Sequence, residues 1–154
     1  MNFKKRFIIV SLMCFYLTSC VIPGSKQELE ELALFDGDIV KAVYQVEVAS
    51  SSRSRKVGLM YRKDLPENQG MLLDYQRSAQ MGIWMKNTLI SLDIIFIDAR
   101  GIIVKVYEGA EPLSTQTINS EYEVRAVLEV NAGQVFKHGI KPGDKVRHAS
   151  FNNQ

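Results

Sequence analysis

The chain has 154 residues, enough for one domain with one modest core, and it shows no repeat or low-complexity block. Lysine and arginine number 19 against 17 aspartates and glutamates, and three of the basic residues, Lys4, Lys5 and Arg6, crowd the N-terminus. Without those three the balance is 16 to 17, which removes the electrostatic case for a nucleic-acid partner.

The opening residues, MNFKKRFIIVSLMCFYLTSC, pass from a basic stretch to an apolar run, Phe7 to Tyr16, too short for a permanent membrane helix. This order predicts a secretory signal peptide over residues 1–19. Its end, Leu17-Thr18-Ser19-Cys20, resembles the lipobox of bacterial lipoproteins; the competing reading is an ordinary signal with a chance cysteine. On the lipobox reading Cys14 leaves with the signal and Cys20 carries lipid. The mature domain then has no thiol for a disulfide or for catalysis. Three acyl chains anchor a protein more firmly than one. Val21 in place of aspartate favours, by resemblance to lipoprotein sorting, the outer membrane, with the domain facing the periplasm or the exterior.

Residues 20–31 read as a tether, 32–149 as a single β-rich domain and 150–154 as a tail. Ser25-Lys26-Gln27-Glu28 fits a capping box opening a short helix. A strand over Leu32–Phe35, turning at Asp36-Gly37, is favoured because clear β pattern follows. From Ile39 to Ala49, Ala42, Tyr44 and Val46 alternate with Lys41, Gln45 and Glu47. Ser51 or Ser52 caps a short helix over Arg53 to Leu59. Tyr61 to Gln69 is loop, Met71-Leu72-Leu73 a short strand, Gln76 to Gln80 polar loop and Met81 to Asn87 another strand. Asp93 to Asp98 is apolar on both faces and predicts a buried central strand. Asp98-Ala99-Arg100-Gly101 is a type I turn into an antiparallel return over Ile102 to Tyr107. After the polar stretch Glu108 to Glu121 comes a strand over Glu123 to Val130. Asn131 is placed as the cap of a helix from Ala132 to His138, closed by Gly139 and Ile140. Pro142-Gly143 turns into a last strand, Asp144 to His148. The result is a mainly β fold, a single antiparallel β-sandwich or partly closed barrel with two short helices.

Several motifs stand in one order along this frame: Gly58-Leu59-Met60-Tyr61-Arg62, Gly70-Met71-Leu72, Trp84-Met85-Lys86-Asn87-Thr88, Leu92-Asp93-Ile94, Phe96-Ile97-Asp98, Val127-Leu128-Glu129 and Gly143-Asp144. From about Val43 to Val146 the chain resembles the domain-of-unknown-function-192 family of bacterial and archaeal proteins. The resemblance implies a compact, mainly β, jelly-roll-like domain, often exported, and carries over no catalytic residue. Ile83 stands where the family usually has an aromatic residue, and Ser91 where it usually has proline.

The functional candidates gather around the only tryptophan. In a strand Trp84 and Lys86 share a face, an indole beside an ammonium, suited to a small polar or anionic ligand or to a partner protein of the envelope. Asn87 either joins that site or holds the loop into Thr88, and Asp93 either flanks it or neutralises Lys86 or Arg62. Arg62 offers a donor fork to an anion, or an internal ion pair to Asp93 or Glu129. Two rival readings remain: copper held by Met60, Met71, Met81 and Met85, set against methionine as core filler, and a hydrolase using Asp93 or Glu129, alone or as an acid–base pair. No metalloprotease, nucleophile-elbow or phosphate-loop motif is present, His138 and His148 have ordinary readings at a helix end and near the C-terminus, and no cofactor is expected.

Overall fold

A computed structural model of the chain describes residues 28–153. The strands are β1 (Leu29–Asp36), β2 (Ile39–Ala49), β3 (Gln69–Ala79), β4 (Gly82–Ile83), β5 (Leu92–Ile97), β6 (Ile103–Ala110), β7 (Ile118–Asn119), β8 (Val124–Asn131) and β9 (Lys145–Arg147). Two short helices join them, α1 (Ser52–Val57) and α2 (Gln134–His138). Seven strands form one sheet in the order β6-β5-β8-β3-β2-β1-β9, and β4 pairs with β7 in a small second sheet. The mainly β reading with two short helices holds. The large sheet is mixed, because β2 and β3 run parallel while every other pair is antiparallel. Its two edges meet at one bridge, Ile102 to Lys145, and it does not close into a barrel.

The parallel pair follows from the chain between its strands. A tight hairpin cannot reverse a strand into parallel register, so a crossover is required. Residues 50–68 supply it, with Ser51 capping α1 through a reciprocal bond with Ser54. The crossover lays Leu59 and Leu65 over one face of the sheet. On that face lie Leu73, Phe96 and Val127, with Ile83 and Met85 from the β4 region packed down on them. The opposite face carries the other core, where Leu32, Tyr44, Leu72, Ile95 and Leu128 pack with Val135 of α2. Burial on both faces explains the unbroken apolar run of β5, all six residues of which are buried.

Three expectations change. The strand placed over Met81 to Asn87 shrinks to Gly82–Ile83, because the chain leaves the sheet at Trp84 and Asn87 takes a left-handed φ of 59°. Most of the loop placed over Gln76 to Gln80, up to Ala79, belongs to β3, which bulges there: Gln76 has φ 58°, its N–H donates to Asp74 Oδ1 at 2.8 Å, and pairing with β8 resumes at Ala79. Asn131 does not cap α2. Its amide donates to the Leu65 carbonyl at 2.8 Å, and the N-cap is Gly133. At the other end Gly139 is left-handed and the Ile140 N–H reaches the Val135 carbonyl at 2.9 Å, the closure expected. At the ends of the domain, β1 starts at Leu29, inside the stretch read as tether, and Phe151, in the stretch read as tail, is buried. Residues 1–19 and Cys20 lie outside the described residues. Among the described residues no helix is long and apolar enough to cross a membrane.

Candidate functional site

Four residues stand in a row across the sheet. Glu47 on β2 is opposite Met71 on β3, Met71 opposite Glu129 on β8, and Glu129 opposite Ile94 on β5. Their side chains share the face under the crossover. Asp93, one residue before Ile94, is opposite Val130 and points to the other face. Asp93 and Glu129 are thus separated by the sheet and do not form an acid–base pair. Asp93 is fully buried, and both its oxygens are taken: Oδ1 accepts from the Gly109 N–H and Oδ2 from the Val135 N–H, each at 2.8 Å. The second bond satisfies a free N–H in the first turn of α2, which a glycine N-cap with no side chain leaves open. Asp93 is therefore a structural anchor, away from Trp84, Lys86 and Arg62.

Glu129 is in a different position. It is 6% exposed, its carboxyl has no hydrogen-bond or ion-pair partner among the described residues, and it lines a pocket of about 320 Å³. Leu73 and Tyr75 of β3 line one side, Leu59 and Met60 of the crossover another, and Ile83 and Trp84 the side toward the small sheet. A side chain at position 58 would stand 3.6 Å from Glu129 Oε2, so Gly58 leaves the carboxyl open to the pocket. Burial pushes the Glu129 carboxyl up to about 7, and the Arg62 charge offsets this only in part. Arg62 is already committed. It grips Glu47 with two bonds of 2.5 and 2.6 Å, so neither Asp93 nor Glu129 is its partner.

Trp84 sits at the lip, 42% exposed, with Lys86 Nζ 5.2 Å from its ring centroid. Asn87 faces the crossover: its carbonyl accepts from the Tyr61 N–H at 2.8 Å and its amide donates to the Tyr61 hydroxyl at 2.9 Å. Those bonds hold the loop after Trp84 against the GLMYR segment. Met71 and Met85 are buried as core filler, while Met60 and Met81 are pocket walls. The structure thus keeps Trp84 and Lys86 together, turns Asn87 and Arg62 into supports, and removes Asp93.

Four pocket residues escaped the sequence reading: Arg55, Lys56, Tyr75 and Arg77. The alternation Leu73, Tyr75, Arg77 continues the period-two pattern of the MLL strand, and that was the available signal. The Arg55 guanidinium lies 4.9 Å over the Tyr75 ring and donates to the carbonyls of Ser50 and Asp74, the latter at 3.0 Å. Arg77 and Lys56 line the same pocket with no hydrogen bond or ion pair to any described residue. Three cationic side chains thus line the same pocket as one buried acid.

The comparisons match this architecture. The DUF192 family model, described as an uncharacterized ACR, matches residues 34–148. A crystal structure of a candidate transcription regulator from Sinorhizobium meliloti 1021 is 36% identical, with a TM-score of 0.77, covering 80% of this chain and 96% of that one. A protein of unknown function from Novosphingobium aromaticivorans DSM 12444 is 31% identical at the same TM-score, covering 82% of this chain and 89% of that one. No curated protein matches.

Proposed function

Since the chain belongs to the DUF192 family, whose description names no activity, we propose from the site itself that the protein is a binding module for a small polar ligand held in the Glu129 pocket. One observation carries this reading: a nearly buried carboxyl without a partner faces a cavity. Buried polar groups are normally satisfied, and leaving one unmet costs about 1–3 kcal/mol, more for a charge. A ligand that supplies the missing partner recovers that cost. The lip gives aromatic area at Trp84, and the loop that carries it is fixed by Asn87. Catalysis by Asp93 and Glu129 together has no geometric support, because the sheet stands between them.

Trp84 is the only tryptophan, so its emission reports on the pocket without a label. A panel of small cations, anions, zwitterions and sugars is titrated into the protein while Trp84 fluorescence and Tm are followed. At least one class is expected to change both in the wild type and to lose its effect in Glu129→Gln. A panel in which no ligand depends on Glu129 overturns the binding reading.

We also propose that this module is tethered to the bacterial envelope through lipid on Cys20, a reading supported by the Leu17-Thr18-Ser19-Cys20 sequence. Cys20→Ser is expected to leave an uncleaved or soluble protein. A mature-length, detergent-partitioning variant would refute it.

A further inference from the structure

The unmet groups in the Glu129 pocket differ in kind and position. The most buried polar lining residues, taken as the bottom, are Glu129 and Thr88, 6% and 5% exposed; the Thr88 backbone bonds Met85 and Leu113, but neither side chain has a hydrogen-bond partner among the described residues. The bottom therefore suits a donor, and best a charged one. On the outer side are the free cations of Lys56 and Arg77, both exposed, with Arg55 beside them. The walls between are apolar, from Leu59, Leu73 and Ile83.

A simple anion would meet the acid at the bottom, and a simple polyamine would meet three cations on the way in. Neither satisfies both ends. A cavity of about 320 Å³ is near the small end of the range of ligand sites, roughly 300–1,000 Å³. Resting on the binding reading above, we infer that the pocket takes a small amphoteric ligand, an aliphatic amine that also bears a carboxylate, with its ammonium on Glu129 and Thr88 and its carboxylate at Arg77 and Lys56. The aliphatic spacer then lies along the apolar walls. Every unmet group named above gains a partner of the correct sign, and the ammonium keeps Glu129 ionised inside the protein.

This assignment has a pH signature. The charged and titratable groups near Glu129 are Arg62, whose charge acts on it and which is held by Glu47, and Tyr75 of β3, while Arg55 and Lys56 from α1 and Arg77 from β3 line the same pocket and Lys86 lies beside Trp84 at its lip. Burial moves the charge change of the Glu129 carboxyl up to about 7. An ammonium needs the carboxylate, so affinity rises with pH up to about 7 and then levels.

The test titrates the full chain with γ-aminobutyrate, ε-aminohexanoate, butylamine and butyrate, read by Trp84 fluorescence and by NMR. The amino carboxylates are expected to bind at least about tenfold more tightly than butyrate, with affinity falling by roughly tenfold per pH unit below 7. Glu129→Gln should remove that pH dependence and weaken binding at least about tenfold. The double variant Lys56→Gln, Arg77→Gln, altered only at exposed positions, should fold normally and lose the preference for amino carboxylates over butylamine. Butyrate binding as well as γ-aminobutyrate, or a flat pH profile, would overturn the inference. So would a Glu129-dependent ligand of another class such as a sugar, although that result leaves the pocket itself standing as a binding site. No Glu129-dependent ligand of any class overturns both readings.

Discussion

At the residue scale, Glu129 has a measurable cost. A carboxyl whose folded-state pKa is about 7 against an ordinary value of 4.5 binds more protons folded than unfolded between those limits. Stability therefore falls as pH rises from about 4.5 through 7, because the ionised form is the one that burial disfavours. The full effect is of the order of 3 kcal/mol, from about 1.36 kcal/mol per pKa unit. Glu129→Gln keeps the shape and cannot ionise. It is expected to unfold in urea near the wild-type midpoint at pH 5 and to be more stable than wild type by about 2–3 kcal/mol at pH 8. A variant less stable than wild type at pH 8 would mean that the carboxylate has a structural partner and is not waiting for a ligand. Stability held back at one buried acid is the pattern of a site that strains its own fold for function.

At the scale of elements, what was legible followed from local chemistry. The alternation in β2, the double-faced apolar run of β5, the Ser51 cap of α1 and the Gly139-Ile140 closure of α2 are all written in short stretches of sequence. What was not legible came from partners far along the chain. β3 was cut short because its bulged residues Gln76 to Ser78 are polar and exposed, although they stay part of a strand whose pairing resumes at Ala79. Asn131 is of a residue type that suits a cap for α2, while the acceptor that meets the Val135 N–H is Asp93, 42 residues away. No local pattern reveals that. The same limit applies to the site. Trp84 and Lys86 were found because they stand two apart, whereas Glu129 was recognised as a reactive acid but given the wrong companion. Only strand register shows that it shares a face with Glu47 and Met71, and that Asp93 does not.

At the scale of the molecule, the fold depends on where the large sheet comes nearest to closing. β6 and β9 are its opposite edges, and they touch through Ile102 and Lys145. Gly101, just before that bridge, has φ 79° and its carbonyl accepts from the Val146 N–H at 2.7 Å. A Cβ there would stand 2.7 Å from the Val146 carbonyl oxygen, a backbone atom that cannot move without parting the edges. Gly37, in the hairpin between β1 and β2, has a similar φ of 60° but nothing within 4 Å of the position its Cβ would take. Both sites impose the left-handed conformation, worth roughly 1–2 kcal/mol against a residue with a side chain. Gly101 adds a clash. Gly37→Ala is expected to cost about 1 kcal/mol in urea unfolding, and Gly101→Ala more than about 3 kcal/mol, because the edge contact must open to admit the methyl group. Hydrogen exchange should show the difference in place, with Gly101→Ala loosening the Val146 amide while Gly37→Ala leaves it protected. Equal costs at the two glycines would show that the edges do not hold each other, and that the two cores alone keep the sheet curled.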